Sequence, residues 1–391
     1  MKKNINGANQ LRLRLDTIKA AKGVAGLRER LSVLWPEFSL SKLTEMVIVG
    51  AAGEGLRLAA LCSSNGIAIR AIVDDDSSKH GMSVEGIKVA NVDTLNSIPR
   101  EIPVIVASHR SLLPVRRLRA MGFKTVSPFM TLQMLDPVSF PPHMFHDGLL
   151  EDLAVNLDQY EALENVLADD VSRAVLAAVI GYRMDGDPEI LSPVVEWDLY
   201  GPNNLLNYGS DEVYVDGGAF DGDSIKLFIE RVKGRYSRVL GFEPDPATFA
   251  RLKNTFINEP KVEPINAGLH KKEGILRFDD AGTRGSILVE SGGISVPVVG
   301  LDEVLQGDRV SYIKMNIEGA EIDALQGGAD SIKRWGPKLA ISAYHLPNHL
   351  WKIPLEISKI REDYQIFFRQ HDGGIIETVV FALPISSKIK S

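Results

Sequence analysis

The sequence predicts an α/β protein with two Rossmann-like units, a smaller one over residues 44–137 and a larger one over residues 208–391. Three observations carry this. The apolar run Val213-Tyr214-Val215 passes directly into Asp216-Gly217-Gly218-Ala219-Phe220-Asp221-Gly222-Asp223, and a second apolar run ends in Gly241-Phe242-Glu243-Pro244-Asp245. The 27 residues from Asp216 to Glu243 leave room for one helix, so the two runs read as the strands of a βαβ unit. Upstream, MVIVGAAGEGLRLAALCSSNG reads as strand, glycine turn and helix, and AIRAIVDDD as a second strand ending in acids.

The elements follow in order. Residues 1–43 place Leu11, Leu13, Leu15, Ile18, Val24, Leu27 and Leu31 among charged residues, the pattern of a lead-in of short amphipathic helices. In the smaller unit, PVIVAS and KTVSPF read as further strands, with a helix over LLPVRRLRAMG between them. Residues 138–207 open on the proline-rich SFPPHMF and then set Leu153, Leu157, Tyr160, Leu163, Leu167 and Val171 at helical spacing, which predicts a helical connector packed through that stripe.

In the larger unit, strands are expected at 213–216, 238–242, 262–266, 311–316 and 338–344, with helices from 223, 246 and 320 and around 353–361. A hairpin is expected over 275–298, its tip rich in glycine at Gly282, Gly285, Gly292 and Gly293. At the end, YQIFFRQ and IIETVVFAL flank His371-Asp372-Gly373-Gly374, which reads as two strands joined by a tight glycine turn.

Composition bounds the function. A chain of 391 residues that is 45% hydrophobic and 24% charged is an ordinary globular protein with room for several cores. The net charge of −7 offers no basic footprint for nucleic acid or an anionic membrane, which leaves a small molecule as the expected partner. The single cysteine, Cys62, excludes an intrachain disulfide and reads as a small buried hydrophobe. Polar Asn4, Asn6 and Asn9 stand where a secretory signal would be apolar, and no run reaches the length of a membrane span, so a cytoplasmic protein is expected. A homo-oligomer is compatible with everything above.

The loop after residue 215 points to a class of cofactor. Glycines at a strand end let a ligand approach the backbone, and an acid at the end of the next strand, here Glu243, can accept hydrogen bonds from ribose hydroxyls. Asp216, Asp221 and Asp223 would repel a pyrophosphate and suit a sulfonium or ammonium group, as in S-adenosylmethionine. The G-x-G-x-x-G spacing of dinucleotide loops is also missing, which disfavours a nicotinamide oxidoreductase. The same residues also fit a glycine-rich turn with no ligand.

In order, VYVDGGAFDGDS, GFEPDPATFARL, INAGLHKKEGILRF, VPVVGLDEVL and YIKMNIEGAEIDALQGGADSIKRWGPKLAIS resemble the FkbM family of S-adenosylmethionine-dependent methyltransferases over residues 208–384. The resemblance implies a seven-stranded class I methyltransferase fold and methyl transfer, usually to an oxygen, on sugars or related small molecules. The terminal hairpin is what such a fold needs for its antiparallel last strand. One departure stands out: Asn316 occupies a position where the family commonly has Asp, so no metal is expected there.

From this reading, Gly218 to Gly222, with Ala219, Phe220 and Asp221, should lie against the methionine portion of the cofactor, and Gly217 should belong to the same cofactor site. Asp216 should hold its ammonium, directly or through water, and Glu243 with Pro244 its ribose. Asn266 and Ala267 should stand near the adenine, and Asn316 near both cofactor and chemistry. His345 ranks ahead of Glu318 as the base for a hydroxyl acceptor. Glu318 fits equally a helix cap and His345 a hydrogen-bonded core residue, while Glu321 reads as a first-turn acid favoured by the helix dipole.

Residues 47–53 with IVDDDSSKHGMSVEGIKVANVDTL are similar to the nucleotide-binding domain of some polysaccharide-biosynthesis epimerases and sugar acyltransferases. There, Gly50 to Gly55 would meet a phosphate and Asp74 a ribose; a scaffold or docking role fits as well. A non-catalytic nucleotide-sugar binding protein that retains the methyltransferase fold is the alternative for the whole chain.

Overall fold

The computed structural model describes residues 6–201, 205–278 and 294–385. The chain forms two compact units that are discontinuous in sequence. Unit 1 comprises Met1–Glu161, Arg173–Trp197 and Gln370–Glu377, and unit 2 comprises Ala162–Ser172, Asp198–Arg369 and Thr378–Ser391. Residues of the expected connector are therefore divided between them. Among the described residues no helix is long and apolar enough to cross a membrane.

Unit 1 is built on β1 (Glu45–Val49), β2 (Ala68–Val73), β3 (Ser83–Val84), β4 (Ile87–Ala90), β5 (Val104–Val106) and β6 (Val126–Pro128), in the order β3-β4-β2-β1-β5-β6. All pairings are parallel except β3 with β4. Because side chains alternate across a strand, β1 feeds two cores: Met46 and Ile48 join Leu58, Cys62 and Ile105, while Val47 joins Val73, Val104 and Leu118. Cys62 lies in the first core, and burial pushes its thiol up to about 12, as a packed hydrophobe rather than a nucleophile. The leading helices Gly7–Ala21 and Val24–Leu34 bury Leu11, Leu15 and Ile18, and Leu27 and Leu31, at the expected spacing.

Unit 2 contains β7 (Val213–Gly217), β8 (Arg238–Phe242), β9 (Val262–Ile265), β10 (Gly268–His270), β11 (Gly274–Phe278), β12 (Ile294–Gly300), β13 (Tyr312–Met315), β14 (Lys338–Ser342), β15 (Tyr364–Gln370) and β16 (Thr378–Pro384). Seven strands form one sheet in the order β15-β16-β14-β13-β7-β8-β9, with β16 antiparallel to β14. From β7 the chain steps outward through β8 and β9, then resumes on the other side with β13 and β14. The carboxyl ends of β7 and β13 thus flank a topological switch point, where ligands of open parallel sheets bind.

Strands β11 and β12 pair antiparallel, and β10 joins β12 to make a small separate sheet. The glycines expected at the hairpin tip lie outside the described residues.

The final pair departs from expectation. No tight turn follows β15; residues 371–377 separate it from β16, and the stretch Gln370–Glu377 belongs to unit 1. Within unit 1, Leu112 donates its N–H to the Gly373 carbonyl at 2.7 Å and Ile375 donates to the His109 carbonyl at 3.1 Å. A Cβ on Gly374 would collide with that His109 carbonyl. The glycines serve close packing of backbone on backbone rather than a hairpin turn.

Candidate functional site

The loop after β7 is shaped by the protein itself. Gly218 and Ala219 donate their N–H groups to the Phe242 carbonyl at 3.1 and 2.9 Å, tying the loop to the end of β8. Gly218 has φ +75°, and a Cβ there would collide with the Asn316 carbonyl after β13. Gly222, φ +92°, opens the helix Asp223–Arg231, where a Cβ would strike Phe256. These glycines are needed first so that neighbouring loops can close on each other, a different reason from the ligand approach the sequence suggested.

Asp216 is engaged by its own chain. Its carboxylate is wholly buried and accepts from Lys314 Nζ at 2.8 Å, Tyr214 OH at 3.0 Å and Ser224 Oγ at 2.5 Å, so it is not placed to hold an ammonium directly. Burial pushes its pKa up, and the Lys314 charge opposes that. Lys314 also donates to the carbonyls of Gly218 at 2.9 Å and Gly217 at 3.3 Å. The buried pair thus holds the glycine loop in place.

Glu243 ends β8 with both oxygens engaged: Phe220 N–H donates to Oε2 and Asp245 N–H to Oε1, each at 3.0 Å. Each oxygen keeps a further acceptor site. Burial raises the carboxyl to about 7, against the lowering effect of the two N–H donors. Pro244-Asp245-Pro246 then starts the helix Pro246–Thr255, with Asp245 Oδ1 accepting from Thr248 N–H at 2.7 Å and proline at the first position. Asn266 donates its amide to the carbonyls of Glu243 at 2.9 Å and Pro244 at 3.1 Å, so its nitrogen braces this loop rather than reaching for an adenine. Ala267 beside it is buried.

On the β13 and β14 side, Asn316 sits between two tyrosines, donating to Tyr200 OH and accepting from Tyr344 OH, each at 3.1 Å. The next residues hold the group that sequence reasoning missed. Glu321, first in the helix Glu321–Gly327, is the first-turn acid expected there, and it is fully buried. Its Oε1 lies 2.8 Å from His345 Nδ1 and its Oε2 3.4 Å from His349 Nδ1. The N–H groups of Ile317 and Gly319 donate to the same carboxylate at 2.9 and 3.1 Å.

Burial works against this charge, yet His345 and His349 outweigh it and hold the Glu321 carboxyl down at about 2. On its other side, His345 Nε2 is 3.6 Å from Glu318 Oε2, and Glu318 is partly exposed in a backbone with φ +55°. The sequence carried one signal for this cluster, the H-x-x-x-H of His345 and His349; His349 begins the helix His349–Ile360, while His345 lies before it. Among the described residues no group of three or more His, Cys, Asp or Glu is arranged to hold a metal ion.

In unit 1, Asp74 is likewise committed to its own chain. Ala51 N–H and Lys79 Nζ donate to Oδ2 at 2.7 and 3.0 Å, and Asp76 N–H donates to Oδ1 at 2.8 Å. A Cβ on Gly55 would collide with the Gly50 carbonyl. The glycines and acid expected to meet a nucleotide here close the β1–β2 corner.

Comparison with known proteins agrees with the geometry. Residues 216–371 match the profile of the methyltransferase FkbM domain. The crystal structure of a methyltransferase FkbM from Methylobacillus flagellatus KT is similar over 95% of this chain and 100% of its own, with 24% identity and a TM-score of 0.75. Fibrillarin from Aeropyrum pernix, in complex with natively bound S-adenosyl-L-methionine, is 12% identical over 47% of this chain and 70% of its own, with a TM-score of 0.31. An rRNA methylase from Streptococcus thermophilus is 14% identical over 45% of this chain and 89% of its own, with a TM-score of 0.30. No curated protein matches the chain. The stretch 216–371 thus matches the methyltransferase FkbM domain, and unit 2 has the seven-stranded sheet with the antiparallel last strand of class I methyltransferases.

Proposed function

We propose that this domain methylates a hydroxyl of a small acceptor, a sugar, a polysaccharide precursor or a related metabolite, with His345 as general base. The observation that carries the reading is the imidazole of His345 set between the buried carboxylate of Glu321 and the partly exposed Glu318. When bound, S-adenosylmethionine supplies an electrophilic methyl group on a sulfonium.

The rest falls to side chains of the chain. Glu243 holds the ribose through its remaining acceptor sites, and the backbone of residues 217–222 lies along the amino-acid portion, with Asp221 adding negative charge beside a cationic ligand. Pro244 and Ala267 line the adenosyl side, and Asn316 orients the acceptor through its amide. With Nδ1 of His345 donating to Glu321, Nε2 is the basic nitrogen. It takes the proton of the acceptor hydroxyl as the oxygen bonds to the methyl carbon and the carbon–sulfur bond breaks. Glu321 stabilises the imidazolium so formed, as a buried carboxylate does in other acid–base pairs.

The test is methyl transfer from labelled S-adenosylmethionine to a panel of free and nucleotide-linked sugars, with products analysed by mass spectrometry. Methylation on nitrogen or carbon, or full activity of His345→Asn, would overturn the reading.

A further inference from the structure

We infer that Glu318 is the exit by which His345 returns its proton to water. The inference rests on the proposed role of His345 as base. Each turnover then leaves a proton on Nε2, and the next begins only once that proton has gone.

His345 cannot shed it unaided. Its side chain is 2% exposed and both ring nitrogens are buried. The titratable groups around it differ in what they can take. Glu321, beside Nδ1 at 2.8 Å, has a wholly buried side chain and is held down at about 2, so it is too weak a base to carry a proton away and is closed off from water. His349 lies on the far oxygen of that carboxylate, with its side chain also 2% exposed. Tyr344 is buried, its ring centroid 4.3 Å from that of the imidazole, and donates its hydroxyl to Asn316. Of the four, Glu318 is the one open to solvent: its side chain is 29% exposed, and its Oε2 is 3.6 Å from Nε2.

The loop holds Glu318 there against a local cost. Its backbone has φ +55°, a conformation that strains any residue with a side chain, although Gly319 next to it, at φ +106°, shows that glycine is used in this loop. Ile317 and Gly319, on either side, both donate their N–H groups to the Glu321 carboxylate, at 2.9 and 3.1 Å. The carboxylate that orients Nδ1 therefore also clamps the turn that brings Glu318 to Nε2. Strain kept at a solvent-facing acid beside a buried imidazole points to function rather than packing.

One water, or rotation about the Glu318 side-chain bonds, closes the remaining gap. The Nε2–H bond breaks as an O–H bond forms on Glu318, which leaves the imidazole neutral. The carboxylic acid then gives its proton to a buffer base in solution.

The experiment follows the proton. In full-length protein carrying isotopically labelled histidine, with S-adenosylhomocysteine bound and the pH on the acid side of neutrality, NMR reads how fast the His345 Nε2 proton exchanges with water. Its resonance is assigned by its absence from His345→Asn. Glu318→Gln keeps the shape and loses the proton acceptor, and should slow the exchange about tenfold or more. Acetate added to that variant should restore the rate in proportion to its concentration, and Glu318→Asp should keep part of it, neither of which a purely structural role gives. Glu318→Gly suits the left-handed backbone and carries the comparison if the glutamine variant does not fold. Steady-state methylation of the sugars in the panel above should fall and recover in parallel. Exchange at the wild-type rate in a folded Glu318 variant, or slowing that acetate leaves unchanged, would overturn the proposal while the base reading stands. Full activity of His345→Asn would remove that reading and this one with it.

Discussion

The Glu321 carboxylate stands between two imidazoles, with His345 Nδ1 at 2.8 Å from one oxygen and His349 Nδ1 at 3.4 Å from the other. Glu321 therefore orients His345, and the two should separate kinetically from cofactor binding. His345→Asn should lower kcat about 10²- to 10⁴-fold, the usual range for a general base, with the affinity for S-adenosylhomocysteine nearly unchanged. Glu321→Ala should destabilise the protein by about 3–5 kcal/mol, the scale for breaking a buried charged pair, read by urea denaturation. The Glu321 carboxyl is held at about 2, below its unfolded value, so its contribution is present above pH 4.5 and lost as pH falls toward 2. The variant should lack that part of the acid transition.

With Glu243 holding the ribose as proposed, cofactor binding should depend on pH. Its carboxyl is raised to about 7, and hydroxyl donors favour the ionised form, so the affinity for S-adenosylhomocysteine should rise as pH increases from 6 to 8. At most about tenfold separates the two ends, following the ionised fraction. Calorimetry at pH 6, 7 and 8 measures this, and Glu243→Gln should bind more weakly with a flat profile. A slope that persists in the variant would assign the titration to another group.

The Asp216–Lys314 pair should matter to stability more than its place in the loop suggests. Lys314→Met strands a buried carboxylate and should cost about 3–5 kcal/mol, whereas the double variant with Asp216→Asn should recover part of the loss. Denaturant titration of the three proteins gives the coupling. Additive losses would show that the two groups act independently.

Gly218→Ala tests the contact between the loops after β7 and β13. A left-handed backbone costs an L residue roughly 1–2 kcal/mol, and the collision with the Asn316 carbonyl adds to it. We expect a lower thermal midpoint together with at least about tenfold weaker S-adenosylhomocysteine binding. A variant with both properties intact would place no functional demand on this glycine.

Chelation should leave the site intact. The Asn316 amide is held by Tyr200 and Tyr344 and lacks the charge a hard cation prefers. Cofactor binding measured by calorimetry before and after EDTA should agree, and elemental analysis should find no stoichiometric divalent ion. A drop in affinity restored by Mg²⁺ or Mn²⁺ would contradict this.

What the sequence determined by itself is what neighbouring residues control. Short apolar runs mark Val213 to Gly217 and Arg238 to Phe242, helical spacing marks the leading helices, and Asp245 with Pro246 announces a helix start, because strand runs, helix stripes and caps involve residues only a few positions apart. The ordered motifs also carried the family.

Tertiary structure alone decided which side chains still have hydrogen-bonding capacity to offer. Asp216 reads as an open acid until Lys314, 98 residues away, claims it, and Asn266 is spent on carbonyls 22 and 23 residues back. Glu321 becomes a central group only when β14 brings His345 to it, and the glycines at 373 and 374 show their purpose only against His109 and Leu112 in unit 1. Hydrogen bonding and burial are settled by packing between distant segments, and no local pattern records them.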